Sequence, residues 1–182
     1  MDILAHGLWA GAVAKIANRK LKKPINVWWI VWWGIFPDFT PFFIPFFVGG
    51  WALISGKLPV TSILYRVGLH ESWYKSNGLV FNLTHDIYAI THSLIVFAAV
   101  FLIVYLFLKR PVWELSGWFL HILIDIPTHT TQFFPTPAFW PVSNWTFNGI
   151  GWAQFWFLIP NYLAIIIVYI ILALKKKNKN KV

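Results

Sequence analysis

The chain has 182 residues, of which 58% are hydrophobic, 20% aromatic and only 12% charged, with thirteen tryptophans. That balance excludes an ordinary water-soluble domain and points to an integral membrane protein. The net charge of +9 does not mark a nucleic-acid binder, because Lys and Arg sit in short blocks between or after apolar runs. With no cysteine, disulfides and thiolate metal sites are excluded, so any metal must use His and carboxylate.

The first apolar run covers residues 3–17. It is not a signal peptide by pattern, since no basic region precedes it and "NRKLKK" follows it. A second run, 25–37, ends at Pro37-Asp38. A third, 42–54, contains Pro45 and Gly49-Gly50, follows Pro41, and reads as re-entrant or interfacial. The polar stretch "RVGLHESWYKSNG" places His70 and Glu71 on the surface. Runs 87–108, 112–126 and 155–174 follow, and only the first and last of these comfortably reach the roughly 20 residues that cross a hydrocarbon core. The expected fold is all-α, a polytopic helical membrane protein of about five spans plus the re-entrant segment. Residues 1–174 form one domain and 175–182 a basic tail. Tryptophans 28, 29, 140, 145, 152 and 156 suit interfacial belts.

Lys15, "NRKLKK", Lys109-Arg110 and the C-terminal "KKKNKNK" hold twelve of the fifteen basic residues, and the positive-inside rule assigns them all to the cytoplasm. One threading satisfies this: the first run goes inward, the second outward, 87–108 inward, 112–126 outward and 155–174 inward to a cytoplasmic C-terminus. The ionisable residues then sort to the outer side. His6 lies near the outer start of the first run and Asp38 at the outer end of the second. His85, Asp86 and His92 gather around the start of the next, and His121, Asp125 and His129 lie at the outer end of the one after. Five of the six histidines and four of the six acids meet at one membrane level, where unpaired ionisable groups are costly.

The spacings point to a metal. His121 and Asp125 are four apart and share a helix face, as do Asp2 and His6 in reverse order and His85 and His92 at a separation of seven. Neutral imidazole and carboxylate together bind a divalent ion, and His with Asp but no Cys suits zinc, or manganese, in a catalytic setting. Pro37 and Pro127 are expected to end their helices and leave Asp38 and His129 on turns beside the site. Each residue also has an ordinary role. Asp2 can N-cap a helix, Asp38 can cap the turn after Pro37, Asp86 can start a helix and His129 can bond its own loop. The number of residues that converge is what favours a site over these separate roles.

With "MDILAHGLWAG", Pro37-Asp38, "THS" at 91–93 and "HILIDIPTHTTQFFPTPAFWPVSNWTFNGIGW" in this order, the chain resembles the family of membrane-bound metal-dependent hydrolases over most of its length. It departs from the commoner "HRGxTHS" form by carrying "HDIYAITHS". The order of ligands is also distantly similar to the all-helical zinc-dependent phospholipase C and P1 nuclease group. That analogy implies His121 and Asp125 as core ligands, with Asp125 able to bridge two ions. It makes Asp38 either a ligand or the base that orients water, and has His6, His92 and His129 complete the shell. His85 joins the expected metal ligands, and Asp86 joins Asp38 as a catalytic carboxylate. The expectation is a membrane enzyme that hydrolyses a phosphoester of a lipid or lipid-linked substrate at the outer face, with the bilayer as partner and no nucleic acid. The alternative is a non-catalytic metal-binding carrier or scaffold. The chain carries no serine-triad pattern and no phosphate-binding glycine loop.

Overall fold

The computed structural model describes residues 1–56 and 78–179. In chain order the helices are α1 (Ile3–Ala17), α2 (Val27–Ile54), α3 (Gly78–Thr91), α4 (Leu94–Leu108), α5 (Ser116–Thr128) and α6 (Phe155–Lys179), with one 3-10 turn at Trp113–Leu115. Among the described residues there is no strand, so the all-α class holds. His70 and Glu71 lie outside the described residues.

Two helices are long and apolar enough to cross a bilayer, Val27–Trp51 and Phe155–Lys175, and α3 with α4 makes a third if the bent pair is one span. The expected five spans are not all met, because α1 and α5 have 15 and 13 residues, short of the roughly 20 needed. The outer surface is that of a membrane protein. No residue of α4 is buried, and large apolar side chains such as Trp28, Phe47, Trp51, Phe107 and Phe155 are exposed.

The main departure from the sequence expectation is α2. Runs 25–37 and 42–54 are one helix carrying Pro37, Pro41 and Pro45 inside it, so no separate re-entrant element follows Asp38. A proline removes one N–H and frees the carbonyl four residues earlier, and a membrane helix tolerates this where a neighbour takes up the freed carbonyl. Here Pro41 leaves the Pro37 carbonyl unbonded within its helix, and the Thr91 hydroxyl donates to it at 3.0 Å. Pro127 likewise lies within α5, which runs on to Thr128.

Run 87–108 is broken instead of continuous. Ser93 is extended and N-caps α4 by accepting from the Ile95 and Val96 amides, and α3 and α4 meet at a bend of 61°. The irregular segment 129–154 packs into that break, with the Leu94 amide donating to the Ala138 carbonyl at 2.9 Å.

Small residues bring the helices together. A Cβ at Gly117 would lie 2.2 Å from the Ile30 carbonyl oxygen, and one at Gly34 would lie 2.7 Å from Ala10 Cβ. Glycine is therefore required at both positions for α5 and α1 to approach α2 this closely, the close-contact packing that membrane helices favour. Helix α6 is joined to α1 by polar side chains: Trp9 Nε1 donates to Asn161 Oδ1 at 2.9 Å, Tyr162 Oη to Asp2 Oδ1 at 2.7 Å and Tyr169 Oη to the Leu8 carbonyl at 3.0 Å.

Candidate metal centre

Close approach of α2 and α5 is what builds the site. With no Cβ at Gly34 or Gly117, the α2 backbone comes within reach of the α5 imidazole, and His121 Nδ1 meets the Gly34 carbonyl at 2.7 Å. A carbonyl can only accept, so Nδ1 carries the proton and the neutral ring presents a bare lone pair at Nε2. His92 is set in the same way by the Tyr88 carbonyl, 3.0 Å from its Nδ1, and Tyr88 stacks on the ring with centroids 3.7 Å apart. His129 is set by the Phe134 carbonyl, 2.9 Å from its Nδ1. Three imidazoles thus have their tautomer fixed by backbone, the outer-shell arrangement typical of metal-ligating histidines.

The lone pairs of His92 and His121 converge. Their Nε2 atoms are 3.0 Å apart, a separation that only a shared proton or a cation between them makes favourable. Asp38 Oδ1 lies 3.3 Å from His92 Nε2 and 3.7 Å from His121 Nε2, while Asp125 Oδ2 lies 3.3 Å and 3.2 Å from the same two atoms. A tetrahedral zinc ion with bonds of about 2.0–2.1 Å separates its ligand atoms by about 3.3–3.4 Å. Five of the six edges among these four atoms are 3.0–3.7 Å, close to those of such a tetrahedron, and all four atoms lie within 4.8 Å of one another. Asp125 Oδ2 is buried with no hydrogen-bond partner, which a cation would remedy. These four residues could therefore hold a divalent ion, and two nitrogen with two oxygen donors suit zinc or manganese.

The other oxygen of Asp125 faces a second set of groups. His6 Nε2 is 2.8 Å from Oδ1 and His129 Nε2 is 3.4 Å from it. The Met1 amino group donates to the same oxygen and to Thr128 Oγ1 at 3.1 Å, and lies 3.1 Å from His129 Nε2. His6 also stacks on His121, with centroids 3.7 Å apart. All six of His6, Asp38, His92, His121, Asp125 and His129 are at most 4% exposed.

Asp38 reaches the centre from the body of α2 and not from a turn after Pro37, and His129 reaches it as the extended C-cap of α5. His85 and Asp86 are not brought in. Both are exposed and line a separate pocket with Phe81, Asn82, Thr131, Phe134 and Pro135. Tyr88 of α3 and His92, which directly follows it, face the centre, whereas His85 lies exposed in the pocket. Asp2 keeps its ordinary role, accepting from the Ala5 amide at 3.0 Å as the α1 N-cap. Sequence analysis does not single out Tyr88, Gly34, Gly117 or the Phe134 carbonyl, which orient the ligands. The available signals were the four-residue spacing of Tyr88 and His92 and a glycine within each of two apolar runs.

No protein-family model, curated protein or solved structure matches the chain.

Proposed function

We propose that the protein is a membrane-embedded, metal-dependent hydrolase acting on a phosphoester of a lipid or lipid-linked substrate at the outer face, in keeping with the family its motifs resemble. The observation that carries this reading is the convergence of two backbone-oriented imidazoles and two carboxylates at tetrahedral spacing. A divalent ion bound there would acidify a water molecule and stabilise charge developing on the phosphoester.

The chain's own residues divide the remaining work. His92 and His121 are each held by a backbone carbonyl and a stacked ring, and Asp125 by His6 and the Met1 amino group. Asp38 is the loosest of the four, at 3.7 Å from His121. Four protein donors close a tetrahedron, whereas catalytic zinc sites keep a position open for water. Asp38 would therefore be the group to give way, and its carboxylate would then serve to accept a proton from water.

Depth supports an outer-leaflet site. Asp2, beside the centre, bonds Tyr162, which lies about 10 Å along α6 from Phe155 and about 20 Å from Lys175 by helical rise. Arg19 meets the Leu172 carbonyl at 3.1 Å, so the basic ends of α1 and α6 lie at one level, on the far side from the centre.

One observation favours the non-catalytic reading: the six residues are closed off from solvent, and four of them already offer a full set of donors to one ion. A single set of measurements separates the two. Purified protein is assayed for bound metal and for hydrolysis of a phospholipid panel on the same preparation. Bound metal with chelator-sensitive turnover supports the enzyme, bound metal without turnover of any panel lipid supports the carrier or scaffold, and a metal-free active protein overturns both. For orientation, Val142→Cys should react with an impermeant thiol reagent from outside and Lys22→Cys should not; both positions are exposed.

A further inference from the structure

The pocket on the outer part of α3 is a chemical environment distinct from the metal centre. Its volume is about 490 Å³, and its lining combines the rings of Phe81 and Phe134, Pro135, the polar side chains of Asn82, His85 and Thr131, and one formally charged group, Asp86. Among the described residues no Lys or Arg lines it, although the chain carries +9 overall. A carboxylate beside aromatic faces attracts an ammonium group, through its charge and through cation–π contact.

The pocket is also joined to the centre. Its wall residue Phe134 gives its carbonyl to His129 Nδ1 at 2.9 Å and to Tyr88 Oη at 2.8 Å, and Tyr88 in turn stacks on His92. Phe134 holds a φ of 41°, a conformation costly for a bulky residue, so the partition between pocket and centre is maintained by these contacts and not by backbone preference. Along α3, Asp86 stands about 9 Å of helical rise before His92.

We propose that this pocket binds a lipid head group carrying an ammonium, primary or quaternary, and that Asp86 and Phe81 set the preference for it. The assignment rests on the hydrolase reading for its meaning as substrate selection, while the binding itself does not. Asp86 is thus a specificity residue, not a catalytic carboxylate.

The test uses full-length protein in nanodiscs of phosphatidylglycerol doped with a photoactivatable phosphatidylcholine or, in parallel, a photoactivatable phosphatidylglycerol. The wild type should crosslink the choline lipid in preference, by about three- to thirtyfold for one partly exposed ion pair plus one cation–π contact. Asp86→Asn should bring that ratio to near one, and the label should map to residues 78–91 or 131–135. The same two lipids, with phosphatidylethanolamine, are then assayed for hydrolysis. An Asp86-dependent preference in crosslinking with no hydrolysis of any lipid overturns the hydrolase reading and leaves the pocket assignment standing. Hydrolysis with equal crosslinking of both lipids, or a preference that survives Asp86→Asn, overturns the pocket assignment and leaves the hydrolase reading standing.

Discussion

His121 with Asp125 and His85 with Asp86 are both His–Asp pairs in apolar surroundings, yet one pair forms the buried heart of the molecule and the other lines an exposed pocket. The difference lies in what each helix is packed against. Around α5, Gly34 and Gly117 allow the α2 backbone close enough for its carbonyl to grip His121. On α3, His85 lies exposed beside the Phe81 ring, at 6.1 Å, in a pocket it shares with Thr131, Phe134 and Pro135. A titratable residue becomes a ligand when the backbone fixes its orientation; its position in an apolar run is not enough.

The strongest way to break this contrast is His121→Ala. It removes one corner of the cluster and leaves Asp38 and Asp125 facing each other with one imidazole fewer. Metal content by elemental analysis should fall from about one ion per chain to background, since one of the four donors is lost. Retention of a full complement of metal would mean that the ion lies elsewhere.

Asp38→Asn comes next in size. The substitution keeps the shape and most of the hydrogen bonding but removes charge and basicity. If Asp38 is the displaceable ligand that becomes the base, metal stays largely bound and turnover falls about 10²- to 10⁴-fold. A joint loss of metal and activity makes it an indispensable ligand, and unchanged rates on a lipid that the wild type hydrolyses remove it from the mechanism.

Gly117→Ala tests the packing side of the comparison without touching any ligand. The added Cβ would lie 2.2 Å from the Ile30 carbonyl and 2.9 Å from the Gly34 nitrogen, so α5 must move away from α2. His121 then loses its grip on Gly34. Disturbing such outer-shell partners costs about 10- to 100-fold in metal affinity, and overpacking costs about 1–3 kcal/mol of stability. Competition with a calibrated chelator reads the first and thermal unfolding the second. An unchanged affinity would show that the close approach is not what orients His121.

The convergence of His6, Asp38, His92, His121, Asp125 and His129 was legible in the sequence because each sits in or just beyond an apolar run and basic blocks mark the opposite ends. What the sequence did not disclose were the breaks. Pro37 reads as a helix end, but α2 runs through it and Thr91 takes up the carbonyl freed by Pro41; Pro127 does mark an end, since α5 stops at Thr128 and His129 is its extended C-cap. Conversely, "THS" lies in a run that reads as continuous, and Ser93 breaks it by capping a new helix. Both outcomes depend on partners distant in the chain. The same holds for His85, whose seven-residue spacing from His92 suggests a shared face, while in the fold it lines a separate, exposed pocket with Thr131, Phe134 and Pro135.

The smallest expected effect is the sharpest control on the comparison. His85→Ala removes an imidazole seven residues before His92, which directly follows α3, and from a motif that reads as ligating. An exposed side chain with no ring or carbonyl holding its Nε2 toward the centre should cost within about 0.5 kcal/mol of stability when truncated. Metal content should match the wild type within error. His92→Ala removes a ligand whose Nδ1 is held by the Tyr88 carbonyl and whose Nε2 faces three other donors, and it should lose the ion. If instead His85→Ala lowers metal content as His92→Ala does, α3 must turn or unwind when the ion binds so that His85 enters the shell. Backbone orientation in the metal-free fold would then no longer predict which histidines ligate.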